Sequence, residues 1–144
     1  MTYGIVCNQP EVIGPWVAKR TGGVWRQGRG SVIGLVKDGE IVAGVLYEDY
    51  NGAIVVVHVA AKPEKSPWLC REFLWYAFHY PFEELKCKKI IGYVSSANKK
   101  AREFDEGLGF EHEATIKDAH PDGDLLVYSM RPETCRWLKI RGRK

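Results

Sequence analysis

Residues 98–110 of the chain read Asn98-Lys-Lys-Ala-Arg-Glu-Phe-Asp-Glu-Gly-Leu-Gly-Phe110, and they follow a short run rich in Ile and Val. Apolar side chains recur in this stretch at helical spacing, namely Ala101, Phe104 and Leu108. The spacing predicts an amphipathic helix, with Asn98 as a favoured N-cap and Gly109 as a favoured stop. Because residues 88–94 are predicted to be a strand, the two together form a strand-to-helix unit.

A second strand and a second helix precede this unit. Residues 53–61 are dominated by β-branched side chains on both faces, which indicates a central strand covered on both sides. Residues 68–80 carry apolar side chains at helical spacing, after Ser66 as N-cap. Pro81 is expected to end that helix, and a one-turn successor is expected over 82–85.

Hairpin signals flank this block on either side. The predicted hairpin strands are residues 31–36 with 41–46 across Asp38-Gly39, and residues 110–117 with 125–131 across a Pro-Asp-Gly turn. Residues 11–20 are expected to form a short helix, and residues 21–30 a glycine-rich loop. The order of elements predicts a mixed α/β (α+β) domain built on one central sheet.

Length and composition set limits on the class of protein. The chain has 144 residues, which predicts a single domain over residues 1–144. With 45% hydrophobic residues and a net charge of +3, it is neither disordered nor histone-like. The longest apolar stretch, residues 52–61, is too short to cross a bilayer, and the N-terminus has no signal-peptide pattern. Four scattered cysteines indicate reduced thiols, so we expect a cytoplasmic protein without a membrane partner.

The positive charge is concentrated in a basic C-terminal tail. Residues 136–144 hold five of the 21 basic residues and no acidic one. Residues 1–135 therefore carry 16 basic and 18 acidic residues, a net charge of −2. The tail is interpreted either as a solvated terminus, which we favour, or as a surface that faces nucleic acid.

Several familiar kinds of site are excluded by spacing. The glycines near residue 30 precede a strand and lack the spacing of a dinucleotide or Walker motif. No Gly-x-Ser-x-Gly elbow is present. The four histidines lie on different predicted elements, and no pair of His or Cys has metal-ligand spacing. No metal site is therefore predicted.

Three segments carry a resemblance to a known family. Cys87-Lys-Lys-Ile-Ile-Gly-Tyr-Val94, the stretch 98–110 and the terminal segments 122–130 and 135–138 resemble the GNAT superfamily of acyl-CoA-dependent N-acyltransferases. They are especially similar to the short members that tailed phages and prophages carry. The resemblance covers roughly residues 31–138. It implies a mostly antiparallel central sheet flanked by helices, in which two central strands splay apart.

The resemblance also implies where acetyl-CoA binds as co-substrate. In this fold the splayed strand leaves backbone groups free for pantetheine, and here these belong to Val59, Ala60 and Ala61. Pyrophosphate meets the N-terminus of the next helix, and Asn98 also belongs to the implied site. The implied pyrophosphate-binding residues are Ser66, Pro67, Trp68, Leu69, Cys70 and Arg71, where the family has a glycine-rich loop.

The implied reaction is direct transfer of acetyl to an amine on a small molecule or a protein. The candidate catalytic residues are Asn98, Asp105 and His58. Asp105 stands where many members have a tyrosine acid, and an aspartate can donate a proton at neutral pH only if burial raises its pKa. Each residue also has a structural interpretation: an N-cap for Asn98, a solvated position for Asp105 and a hydrogen-bonded core histidine for His58. A non-catalytic module of the same fold that binds protein or nucleic acid is the alternative that the glycine-free loop favours.

Overall fold

The computed structural model of the protein describes residues 3–28, 30–62 and 71–139. Seven strands and three α-helices are arranged along the described part of the chain. They are β1 (Tyr3–Val6), α1 (Pro10–Thr21), β2 (Gly30–Lys37), β3 (Glu40–Glu48), β4 (Ile54–Ala61), α2 (Arg71–His79), β5 (Lys89–Ser95), α3 (Lys99–Leu108), β6 (Glu111–His120) and β7 (Gly123–Met130).

The seven strands form one sheet in the order β1-β2-β3-β4-β5-β7-β6. Neighbouring strands are antiparallel except for the central pair, β4 and β5, which is parallel. A helix, α2, connects the two parallel strands, as a crossover connection requires. The predicted mixed, mostly antiparallel sheet flanked by helices is confirmed.

Each face of the sheet has its own core. The larger one packs α2 and α3 against the sheet and contains Tyr47, Phe73 and Tyr128, all nearly inaccessible to solvent. The smaller core lies under α1 on the opposite face and contains Ile13 and Val17. Because side chains alternate along a strand, successive residues of β4 belong to different cores.

Two glycines let α1 lie close to the sheet. Gly34 of β2 and Gly44 of β3 are directly opposite each other in the antiparallel register. A Cβ at Gly34 would come within 2.6 Å of Cδ1 of Ile13, and one at Gly44 within 2.7 Å of Cγ2 of Val17. The missing side chains therefore make the space that the two α1 side chains fill.

The predicted helices and strands are confirmed within the described residues with small shifts at their ends, and two elements differ. The predicted start of the second helix, with Ser66 as N-cap, lies outside the described residues. The first strand, β1, was not predicted, because four exposed or half-exposed residues at the edge of a sheet give no periodic signal. After α2 the chain continues through a π-helical turn, Tyr80–Glu84, in which the Leu85 N–H donates to the Tyr80 carbonyl at 3.0 Å. Pro81 fits the second position of this turn because it has no N–H to pair there.

The described part of the basic tail, residues 136–139, is a short 3-10 turn against the end of α3. Nη2 of Arg136 donates to the Gly107 carbonyl at 2.6 Å, and Nε1 of Trp137 donates to the Leu108 carbonyl at 2.8 Å. The contacts give carbonyls at the end of α3 the partners that a helix terminus needs. Residues 140–144 lie outside the described residues.

Candidate active site

The two parallel strands separate halfway along their length. Their pairing covers three residue pairs and ends at Val56 and Ile91. Beyond that point β4 stays paired with β3 as far as Ala61, and β5 stays paired with β7 as far as Ser95. A V-shaped gap therefore opens in the middle of the sheet, as the resemblance implied.

One edge of the gap is a row of backbone groups. The Lys62 N–H donates to the Val42 carbonyl at 2.9 Å, so even-numbered residues of β4 direct their N–H and C=O groups toward β3. Val59 and Ala61, beyond the last paired residues, direct theirs into the gap. Of the three predicted pantetheine-binding residues, Val59 and Ala61 thus offer backbone groups to the gap, whereas Ala60 faces Gly44 of β3.

A cleft of about 1000 Å³ passes through the gap, and residues on both faces of the sheet line it. On the α1 face its walls include His58, Tyr93 and the end of α1 at residues 20–23. On the other face its walls include Asn98, the N-cap of α3, and residues of α3 itself, among them Asp105. The structure therefore brings all three predicted catalytic residues to one cleft.

His58 is held by a carboxylate on the neighbouring strand. Its Nε2 lies 3.1 Å from Oε1 of Glu48, and the two side chains are 24% and 13% exposed. The pair joins diagonal neighbours of the β3–β4 ladder, because Glu48 is opposite Val56 and His58 is opposite Leu46. His58 is thus hydrogen-bonded, as its structural interpretation supposed, and it also borders the cleft.

Asp105 is half-buried on α3 beside the apolar side chains that pack this helix on the sheet. Burial raises the pKa of its carboxyl to about 7, and the negative charge of Glu106 adds to the rise. Glu106 is held in place by Tyr128, whose hydroxyl donates to Oε2 at 2.6 Å. Burial therefore gives Asp105 the raised pKa that an aspartate needs in order to donate a proton at neutral pH, whereas a solvated aspartate would be ionised.

Asn98 caps α3, as its structural interpretation supposed. Its Oδ1 accepts a hydrogen bond from the Ala101 N–H at 3.1 Å, and its own N–H donates to the Ser95 carbonyl at 3.0 Å. The side chain is exposed at the cleft wall. The cap fixes the start of α3 next to the end of β5, and so sets where Asp105 lies.

The predicted pyrophosphate-binding segment, Ser66–Cys70, lies outside the described residues. Arg71 is exposed at the first described position of α2. Within the described ranges, no group of three or more His, Cys, Asp and Glu side chains is placed to hold a metal ion. No helix in the same ranges is both long and apolar enough to span a membrane.

Sequence reasoning missed the contact between Glu48 and His58. From the sequence, the two residues are only known to lie ten positions apart across the Asn51-Gly52 turn. Counting outward from a two-residue turn would place Glu48 opposite Val55 and His58 on the other face, whereas the observed register places Glu48 opposite Val56 and makes the two residues diagonal neighbours on one face. The exact register was needed to see it.

Several solved structures of similar fold are acetyltransferases, and their sequences are 11–18% identical to this chain. The spermidine/spermine N-acetyltransferase SpeG from Vibrio cholerae, in a crystal structure of mutant forms, is similar with a TM-score of 0.71 and 14% identity over 99% of each chain. An IAA acetyltransferase from Bacillus cereus gives a TM-score of 0.73 and 11% identity over 90% of this chain and 99% of that one. A GNAT-family acetyltransferase from Bacillus anthracis gives a TM-score of 0.59 and 18% identity over 83% of this chain and 72% of that one.

No family model matches the sequence, and no curated protein matches it. At identities of 11–18% the structural likeness shows the fold alone. The chain therefore has the fold of the GNAT acetyltransferases.

Proposed function

We propose that this protein is an N-acyltransferase that moves an acetyl group from acetyl-CoA to an amine by direct attack in a ternary complex. The observation that carries the proposal is the gap beyond Val56 and Ile91, with strand backbone along one edge and a cleft through it. A sheet interrupted in this way leaves polar backbone groups without ladder partners, and an extended ligand can take their place.

The free strand edge fits the pantetheine arm of acetyl-CoA. Pantetheine contains two amides, each with one donor and one acceptor, which is the chemistry of an added strand. Val59 and Ala61 would hold the arm through their backbone groups. We propose that residues 66–71 hold the pyrophosphate and that Asn98 borders the same ligand.

Two titratable side chains border the cleft from opposite faces of the sheet. His58 lies on the α1 face and Asp105 on the α3 face. Acetyl-CoA supplies an acyl thioester, which an amine attacks while a thiolate departs. We assign His58 to accept the amine proton and Asp105 to give a proton to the sulfur. Because the two groups are on opposite sides, the acceptor enters from the α1 face.

The pKa of Asp105 suits the proposed role. At a pKa of about 7, a large fraction of the carboxyl is protonated at neutral pH. A thiol has a pKa of about 8.5, so proton transfer from the carboxyl to the thiolate is downhill. No cysteine is needed as an acyl carrier in this scheme, in agreement with direct transfer.

The acceptor is an amine on a small molecule or on a protein. SpeG is a spermidine/spermine N-acetyltransferase, so polyamines are a natural first choice for a screen. The similarity to phage-carried proteins and the cytoplasmic location remain predictions from the sequence.

Isothermal titration with acetyl-CoA tests the proposal, with CoA as the control ligand. We expect binding, followed by release of thiol when one of three probe amines is added: spermidine, tyramine or a peptide with a free N-terminus. Absence of acetyl-CoA binding at millimolar concentration would overturn the enzyme and favour the non-catalytic module. Salt-sensitive retention of DNA or RNA would then be the next measurement.

A further inference from the structure

Glu48 lies against His58 across the β3–β4 ladder. It is the last residue of β3, and its side chain is 13% exposed. Among the residues that the structure describes, the contact of this carboxylate is with His58, at 3.1 Å. A mostly buried carboxylate without a compensating partner is costly, so the contact stabilises the position of the Glu48 side chain.

The main chain holds the Glu48 side chain in this direction. Gly30 of β2 is directly opposite Glu48 in the register. A Cβ at Gly30 would come within 3.2 Å of Cγ of Glu48 and within 2.6 Å of the Tyr47 carbonyl oxygen. The glycine therefore leaves the space in which the stem of Glu48 lies.

The carboxylate fixes which ring nitrogen of His58 carries the hydrogen. An ionised carboxylate only accepts hydrogen bonds, so Nε2, which faces it, must be the donor. In the neutral ring, Nδ1 is then the nitrogen with the lone pair. His58 borders the cleft at the point where the strands part, one residue before the backbone groups of Val59.

We infer that Glu48 is a positioning residue that holds His58 as the Nε2–H tautomer, so that Nδ1 takes the proton of the acceptor amine. The inference rests on the proposed function and adds a residue to it. When the amine nitrogen bonds to the acyl carbon, one N–H proton moves to Nδ1 and the C–S bond breaks. Asp105 gives its proton to the departing sulfur, and both side chains return to their starting states by exchange with water.

Glu48 also stabilises the charge that forms. After the transfer both ring nitrogens of His58 carry hydrogen, and the cation lies against the Glu48 carboxylate through the same Nε2–H contact. The carboxylate therefore favours the state reached during the reaction over the neutral ring. Glu48→Gln removes the charge but keeps an oxygen that can accept the Nε2–H, so this variant separates the electrostatic effect from the choice of tautomer.

Nitrogen NMR of protein labelled with ¹⁵N-histidine tests the tautomer without any substrate. We expect the wild-type ring, in its neutral form, to show a protonated Nε2 and an unprotonated Nδ1. Glu48→Gln keeps an oxygen that can accept, so it should keep the tautomer, whereas Glu48→Ala should give a mixture of both. A wild-type ring protonated at Nδ1 would overturn the inference.

Kinetics tests the catalytic part, with whichever of the three probe amines reacts fastest. Glu48→Gln and Glu48→Ala should lower kcat by about 10- to 100-fold. The KM for acetyl-CoA should not change. In a His58→Ala background the Glu48→Ala change should have no further effect, because Glu48 acts through the ring. A full additional loss in that background, or an unchanged kcat in the single variants, would overturn the inference.

A matched control is available on another strand. Glu113 of β6 forms an ion pair with Lys89 at 2.8 Å and is 44% exposed. Glu113→Gln removes a cross-strand ion pair of the same sheet away from the cleft, so kcat should match wild type. If acetyl-CoA does not bind at all, the proposed function fails and the catalytic role with it. If acetyl-CoA binds and reacts but the Glu48 variants match wild type, only the role of Glu48 fails.

Discussion

Val56 and Ile91 are the last residues that pair β4 with β5, and the two strands part directly after them. From that point Val59 and Ala61 direct their backbone groups into the gap, while Ala60 remains bonded to β3. Two adjacent alanines of one strand therefore have N–H groups that face opposite ways. The difference gives a test of the gap as a binding site.

Ala61→Pro should weaken acetyl-CoA binding while the protein stays folded. Proline removes an N–H that faces the gap, so no bond to β3 is lost, and its ring projects into the space that pantetheine would occupy. We expect the Kd for acetyl-CoA to rise at least about tenfold, because the loss of one hydrogen bond weakens binding by about that factor. Titration calorimetry measures the change.

Ala60→Pro is the matched control for this variant. It removes an N–H that bonds to Gly44 of β3 in the middle of the sheet. We expect a loss of about 3 kcal/mol in unfolding free energy, measured by urea denaturation. Equal stability of the two variants, or unchanged binding in Ala61→Pro, would contradict the assignment of the free strand edge.

Asp105→Asn should lower kcat and change its pH dependence. In the wild type the carboxyl has a pKa of about 7, so the protonated donor is lost, and kcat falls, as the pH rises through 7. The asparagine variant should be slower by about tenfold or more and should show no such fall. Burial is the main cause of the raised pKa and the Glu106 charge adds to it, so in Glu106→Gln the fall should begin at a somewhat lower pH. An unchanged profile in Asp105→Asn would remove Asp105 from the mechanism.

The same carboxyl should make the fold less stable at alkaline pH. Its pKa is about 7 in the folded protein and about 3.9 in an unfolded chain. Between these values the folded state binds more protons, so stability falls as the pH rises from about 4 to about 7. Asp105→Asn should therefore have a higher Tm than wild type at pH 8.5 and a similar Tm at pH 4. A constant difference between the two pH values would contradict the shift.

Gly44→Ala should destabilise the fold by about 1–3 kcal/mol, because the added methyl meets Cγ2 of Val17 at 2.7 Å. Gly4→Ala is the control. It lies in β1 with no atom within 4 Å of the added Cβ, and its stability should match or slightly exceed wild type. Chemical denaturation compares the two, and similar losses in both would show that α1 does not depend on the close approach.

Trp137→Ala should cost about 2 kcal/mol of stability, since Trp137 packs on the larger core and donates to the Leu108 carbonyl. Lys139→Ala, at the end of the same turn, should be within about 0.5 kcal/mol of wild type. Equal effects of the two would indicate that residues 136–139 do not hold the end of α3. Thermal denaturation followed by circular dichroism is sufficient for the comparison.

Much of the fold is local and so was predictable. The cap at Asn98, the stop at Gly109 and the Asp38-Gly39 turn each act within a few residues, and each has its predicted place. The first strand is different, because β1 is held by pairing with β2 some thirty residues away. The sequence around residues 3–6 therefore gives no indication that they pair with β2.

For the candidate site, the sequence indicated which residues come together better than it indicated their surroundings. His58, Asn98 and Asp105, which were named from the family resemblance, all border the cleft, and their catalytic roles stay predictions. The environment of Asp105 depends on how deeply α3 packs, which only the tertiary structure determines. The partnership of Glu48 and His58 depends on the exact register of a hairpin, and a slip of one residue would have put them on opposite faces.

The parting of β4 and β5 also affects how the stability of the protein should be measured. Among the described residues, the β1–β4 half and the β5–β7 half of the sheet are joined by three residue pairs, with one more backbone hydrogen bond just before them, from the Lys88 N–H to the Ala53 carbonyl. A ligand seated between the halves would act as a removable eighth strand, and its binding energy would add to the unfolding free energy by mass action. The melting temperature of the protein would then rise with the concentration of the ligand, so a melting temperature has to be compared at a fixed ligand concentration.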